Sequence, residues 1–162
     1  MKPAVNSLSR SLDALYRDYN REDSASDPVH RVRPYRDNAD REIAGFCAAA
    51  LAFGRVASVL NSIDTLLKIM GPSPTAFVRG FDPGAPHPEL RAMVHRWTRG
   101  VDLAALLWIL RQVLERSGSV EAFFAEGLGP SDVDVSGALD SFSRRALAVD
   151  VRPVYGRVPK RA

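Results

Sequence analysis

Two carboxylates, one arginine turn and one His-Arg-Trp triplet are the residues of this sequence whose types and spacing could do chemistry. Asp40 and Glu42 stand two positions apart, as an acid and base pair would if both reached one substrate atom. On a helix, residues two apart point about 200° away from each other, so this pair does not converge. Acid near the positive end of a helix dipole is the expected role of Asp40. Glu42 precedes a wholly apolar stretch, and a buried carboxylate there needs a cationic partner. Arg41, Arg55 and Arg96 are the candidates, which makes Glu42 the expected member of a structural ion pair. Its other use, as acid or base toward a small polyanionic substrate, would require a pocket that raises its pKa. No catalytic residue is assigned on this basis.

Arg55 lies in Gly54-Arg55-Val56, the joint between two apolar segments. There it stands at a helix N-terminus, where open backbone N–H groups and the dipole favour an anion and a guanidinium adds a bidentate contact. His95-Arg96-Trp97 sets a titratable ring, a guanidinium and an aromatic side by side. Two arrangements are open for it: the triplet faces a phosphate or base, or Trp97 packs inward while His95 and Arg96 sit at the surface. None of His30, His87 and His95 has a partner at the spacing of a zinc-binding helix. The single cysteine, Cys47, can form neither an intramolecular disulfide nor a cysteine-based zinc site and reads as a small core residue. With no glycine-rich phosphate loop or dinucleotide fingerprint, no cofactor and no metal are expected.

The chain of 162 residues carries 22 basic and 19 acidic side chains, a net charge of +3 that favours polyanionic partners mildly. Its distribution is more telling. Residues 41–100 hold seven basic side chains against four acidic ones, and after residue 149 Arg152, Arg157, Lys160 and Arg161 face only Asp150. The length suits one domain with a real core. No apolar run approaches the roughly 18 residues of a membrane span, and Met1-Lys2-Pro3 leads into no hydrophobic signal segment. A soluble cytoplasmic protein without a membrane partner is the expectation, its oligomeric state open.

The elements that must position these residues read as helices. Leu8, Leu12, Leu15, Tyr16 and Tyr19 fall on one face of a helix over residues 7–20, capped by Asn6 or Ser7. Residues 21–38 read as a long ordered connection with little regular structure. Residues 39–53 are small or apolar on every face, which implies a helix enclosed by others, ended by Gly54. Val56, Val59, Leu60, Ile63, Leu66, Leu67 and Met70 form the stripe of the next, ended at Gly71-Pro72. Ser73-Pro74 opens a short helix in the form of an N-cap and an N1 proline. Pro88 is expected to open a helix that contains Leu90, Met93, Val94 and Trp97 and breaks at Gly100. Asp102 is expected to cap a helix whose first half, Leu103 to Leu110, belongs to the core. Ser119 begins a short helix with Phe123 and Phe124, and Leu139, Phe142, Ala146, Leu147 and Val149 mark a last one. No strand of convincing alternation appears. The fold expected is all-α, about eight short helices packed orthogonally around one core, with residues 1–150 as a single domain and 151–162 as a basic tail.

Asp27-Pro28, Asp40-Arg41-Glu42-Ile43-x-Gly45-Phe46, Ala52-Phe53-Gly54-Arg55-Val56, Met70-Gly71-x-Ser73-Pro74, His95-Arg96-Trp97 and Gly118-Ser119-Val120-Glu121 together resemble the bacterial domain of unknown function 2400 family, from about residue 27 onward. Members of that family are longer, so the resemblance implies a C-terminally truncated chain. Their further part holds a segment similar to the aspartate-bearing one of helix-hairpin-helix DNA glycosylases, and the paired helices 39–53 and 55–70 are similar to the first core helices of those enzymes. The resemblance therefore implies a glycosylase-like N-terminal portion without its catalytic half. In that reading Arg55, His95, Arg96, Arg157, Lys160 and Arg161 contact nucleic acid. The alternative from a different class is a non-catalytic helical protein-interaction module, which a contiguous exposed apolar patch would mark.

Overall fold

Residues 4–20, 27–85 and 87–156 are described by the computed structural model. The early apolar period does produce a helix, α1 (Ala4–Tyr19), with Asn6 and Ser7 inside it. Its stripe is not buried: Leu8, Leu12, Leu15, Tyr16 and Tyr19 are each at least 53% exposed. Within the long connection, Asp27 accepts the Val29 N–H at 2.9 Å and starts a single 3-10 turn, Pro28–Arg31.

Local capping chemistry sets the next limits. Asp37 accepts the Ala39 N–H and opens α2 (Asn38–Leu51); α3 (Val56–Met70) ends where Gly71 takes φ 73°, a conformation that glycine adopts without steric cost. Ser73 accepts the Ala76 N–H at the head of α4 (Pro74–Arg79). After α5 (Pro88–Ala92) the chain leaves the helix, and a two-stranded antiparallel ribbon follows, β1 (Val94–His95) and β2 (Thr98–Arg99). Then come α6 (Gly100–Ser117), α7 (Val120–Ala125), α8 (Ser136–Leu147) and α9 (Arg152–Tyr155). The fold is thus all-helical apart from that ribbon.

The core joins Ile43, Cys47 and Leu51 of α2, Val59, Ile63 and Leu66 of α3, and Leu103, Leu107, Leu110 and Leu114 of α6. Each such aliphatic side chain contributes about 1.5–3 kcal/mol by leaving water. The first half of α6 is central, as its all-round apolarity implies. Burial pushes the Cys47 thiol up to about 12, which leaves it an inert hydrophobe.

The ribbon overturns the expectation of one helix from Pro88 past Trp97. Met93 and His95 point inward while Val94 and Arg96 point outward, the period of a strand. Gly100 explains why the chain must reverse here. It lies so close to α5 that a Cβ on it would run into the Leu90 carbonyl, and only a tight hairpin returns it to that point. Asp102 consequently does not cap α6 from outside. It stands in the first turn and accepts the Arg99 N–H at 2.8 Å.

Beyond residue 150 the chain packs back on α6. Trp108 Nε1 donates to the Asp150 carbonyl at 2.9 Å, Tyr155 donates its hydroxyl to Asp102 at 2.7 Å, and Val154 packs on the core. α9 is a latch on α6, and Arg152 pairs with Asp150.

Candidate functional site

The carboxylates near the start of α2 come first, because their partners decide whether a catalytic pair exists. Asp40 Oδ1 accepts the Thr75 N–H at 2.9 Å and the Ser73 hydroxyl at 3.0 Å, so it caps α4 and not its own helix. Glu42 Oε2 accepts the Val120 N–H at 2.8 Å at the head of α7. The expected ion pair of Glu42 is therefore corrected: no salt bridge among the described residues includes it. Open N–H groups at a helix N-terminus satisfy a part-buried carboxylate as a cation would, and Arg41, one expected partner, donates to the Tyr35 carbonyl instead. α2 thus fastens two other helices with its two acids.

Past the other end of α2, the arginines are treated differently. Gly54 takes φ 110°, and a Cβ there would sit 2.6 Å from Arg96 Nε and 3.0 Å from Nη2, so the guanidinium lies directly on the glycine backbone. Arg96 is the one non-glycine among the described residues with positive φ, 56°. A left-handed L-residue costs about 1–2 kcal/mol, and such strain collects at working sites. Its consequence is an inversion of the triplet. His95 is only 3% exposed while Trp97 is 76% exposed, the opposite of Trp97 packed inward.

His95 is corrected from a nucleic-acid contact to a clamp. Its Nε2 lies 3.0 Å from the Phe53 carbonyl, and its Nδ1 lies 2.9 Å from Ser62 Oγ. A carbonyl only accepts, so Nε2 donates to Phe53, while Nδ1 and the Ser62 hydroxyl share the second hydrogen bond. Both nitrogens are used up inside the protein. The ring ties the 53–55 turn, α3 and β1 together, and Phe53 completes the joint. Phe53 meets His95 edge-on at 4.7 Å and stacks on Trp97 at 4.8 Å with the planes 20° apart.

A cleft of about 590 Å³ opens beside this joint, lined by Arg55, Ser58, Asn61, Ser62, Val94 and Arg96 with His95 at its floor. Asn61, Ser62 and Val94 also line a smaller one of about 280 Å³, together with Glu89. Arg55 is the residue before α3, whose first turn receives no side-chain cap. Neither Arg55 nor Arg96 enters a salt bridge among the described residues, in contrast to Arg31, which is bound to Asp64 at 2.8 Å. Two guanidinium groups and an open helix N-terminus facing one concavity can hold an anion.

Of the residues proposed from sequence, Arg55 and Arg96 meet at this cleft, His95 supports it from beneath, and Arg157, Lys160 and Arg161 lie outside the described residues. Ser58, Asn61, Ser62 and Thr65 went unnoticed, although their spacing of three, four and seven marks a polar stripe on α3. Among the described residues no three of His, Cys, Asp and Glu group to hold a metal ion, and no helix is long and apolar enough to cross a membrane.

In comparison with known proteins, residues 27–158 match the family described as protein of unknown function (DUF2400). No curated protein and no solved structure matches the chain.

Proposed function

The chain belongs to the DUF2400 family, and from that premise we propose that it is a cytoplasmic nucleic-acid-contacting module that grips the phosphate backbone at the cleft between α3 and the ribbon. The observation that carries this reading is the convergence of Arg55 and Arg96, both without an acidic partner among the described residues, on the uncapped start of α3. Their contacts supply affinity and little sequence preference. The resemblance read in the sequence between the helix pair 39–53 and 55–70 and the first core helices of DNA glycosylases favours DNA as the polymer.

Binding of a labelled duplex and of a labelled single strand, measured across a salt series, tests the reading. Affinity should fall steadily with salt, and each of Arg55→Ala and Arg96→Ala should flatten the logarithmic slope by about 0.7 to 0.9. Failure of both polymers to bind at low salt would overturn it.

A helical protein-interaction module is the second reading, favoured by the bare stripe of α1, which lies ahead of the matched residues 27–158. Leucines at positions 8, 12 and 15 with Tyr19 follow the four-three-four spacing of a helix seam. If that seam is the working surface, Leu12→Asp abolishes concentration-dependent association in sedimentation and leaves nucleic-acid binding unchanged.

A further inference from the structure

We infer that Trp97 is a stacking platform for an unpaired base, so that the polymer taken by the cleft is single-stranded or locally opened. The inference rests on the proposed contact with nucleic acid and names its substrate class.

Trp97 is the bulkiest apolar side chain left in water, 76% exposed. One face of its ring is occupied by Phe53, 4.8 Å away and nearly parallel, and among the described residues no other ring and no guanidinium is set against the indole. The other tryptophan, Trp108, shows what this chain does with an indole used structurally: it is half-buried and its Nε1 donates to a carbonyl. Trp97 has no hydrogen bond of that kind among the described residues. It is also held in place. The left-handed Arg96 sends His95 into the core and Trp97 outward, and the buried His95 anchors the ribbon to α3 and to the Phe53 carbonyl. A rigid, preorganised ring loses little freedom when a second ring lands on it.

Charge selects among the flat groups that could land there. The two facing segments, 53–58 and 94–99, contain Arg55, Arg96 and Arg99 and no acid, which repels a cationic ligand that would otherwise suit a tryptophan face and favours a ring carrying a phosphate. Bases inside a duplex have both faces covered by their neighbours. Single strands offer the π-face together with the phosphate, the combination that stacking platforms in basic grooves recognise.

The full chain is titrated with a short oligothymidine, with an abasic strand of the same length and backbone, and with a duplex. Binding is followed by anisotropy and, in a Trp108→Phe background, by the emission of Trp97. Oligothymidine should bind roughly tenfold tighter than the abasic strand and quench Trp97, in line with the worth of one stacked base. Trp97→Ala should bring the two strands to equal affinity with an unchanged salt slope, and Trp97→Phe should restore most of the difference. Unchanged circular dichroism and melting of both variants would establish that the exposed position is not a folding determinant. Equal, salt-dependent binding of both strands by the unaltered chain would overturn the stacking platform and leave the phosphate reading standing. If no strand binds at low salt, both fall. Binding of polyglutamate in place of the strands would also overturn both and assign the face to an acidic protein partner.

Discussion

The acidic start of α2 and the arginine turn just past its end lie on either side of one helix and use their charges in opposite ways. Asp40 and Glu42 each hold the N-terminus of another helix by a bond of 2.8 to 2.9 Å. Among the described residues Arg55 and Arg96 have no acidic partner, although Arg96 is held in a strained conformation against a glycine. The contrast teaches that a charged pair close in sequence is weak evidence of chemistry, whereas charge left unsatisfied on a rigid, strained turn is informative. The proposed contact with an anion therefore draws on the basic side, and the bonds that join helices on the acidic side.

The comparison breaks most severely at His95, the joint beneath the cleft. His95→Ala removes two buried hydrogen bonds and opens a cavity, and should cost about 3 kcal/mol. That would lower Tm in a thermal melt by roughly 2–4 °C per kcal/mol, and it should weaken strand binding as well, because the ribbon loses its anchor.

On the acidic side, Asp40→Ala and Glu42→Ala should each cost about 1 kcal/mol, the ordinary value of a helix cap. Their effects should add in a denaturant titration, since they cap different helices, and binding should not change. A loss of binding without loss of stability in Glu42→Ala would reverse the assignment and revive Glu42 as a functional carboxylate.

Arg96→Gly sharpens the same contrast from the basic side. Glycine accepts φ 56° without steric cost, so stability should rise by up to about 1 kcal/mol while nucleic-acid binding weakens. A position held for packing would show both quantities moving together.

The smallest effect concerns a third engaged carboxylate, Asp102, which accepts from the Arg99 N–H and from the Tyr155 hydroxyl. Burial, and then the bond and charge of Asp102, push the Tyr155 phenol up to about 12, above the value of about 10 for a free tyrosine. Between those values the unfolded chain releases the proton first, so the stability that the α9 latch adds is complete below pH of about 10 and declines as pH rises toward 12. Tyr155→Phe should remove that slope from the alkaline arm of a stability profile and leave binding at neutral pH unaltered.

How far these regions could be read in advance follows from the distances between partners. Ser73-Pro74 and Ser119 announce their helices because a cap bonds within three residues of itself. The ribbon was illegible because its strands are two residues long, too short to show a period. The type of Trp97 alone leaves it free to pack inward or to face a ligand, while its direction depends on the left-handed Arg96 and on Gly54, 42 residues before that arginine. The capping roles of Asp40 and Glu42 were hidden by separations of 35 and 78 residues. The stripe of α1 shows the reverse failure, an amphipathic period that formed a helix without a core to cover it.

What the sequence determined alone is therefore local: where helices begin and end, which faces are apolar, and the motifs that mark the family. These depend on backbone bonds and side-chain periods closed within one or two turns. Tertiary structure decided which charges were satisfied and which way the His95-Arg96-Trp97 triplet faced. Both outcomes depend on donors, carbonyls and rings supplied by segments far along the chain, whose positions exist only once the core has packed.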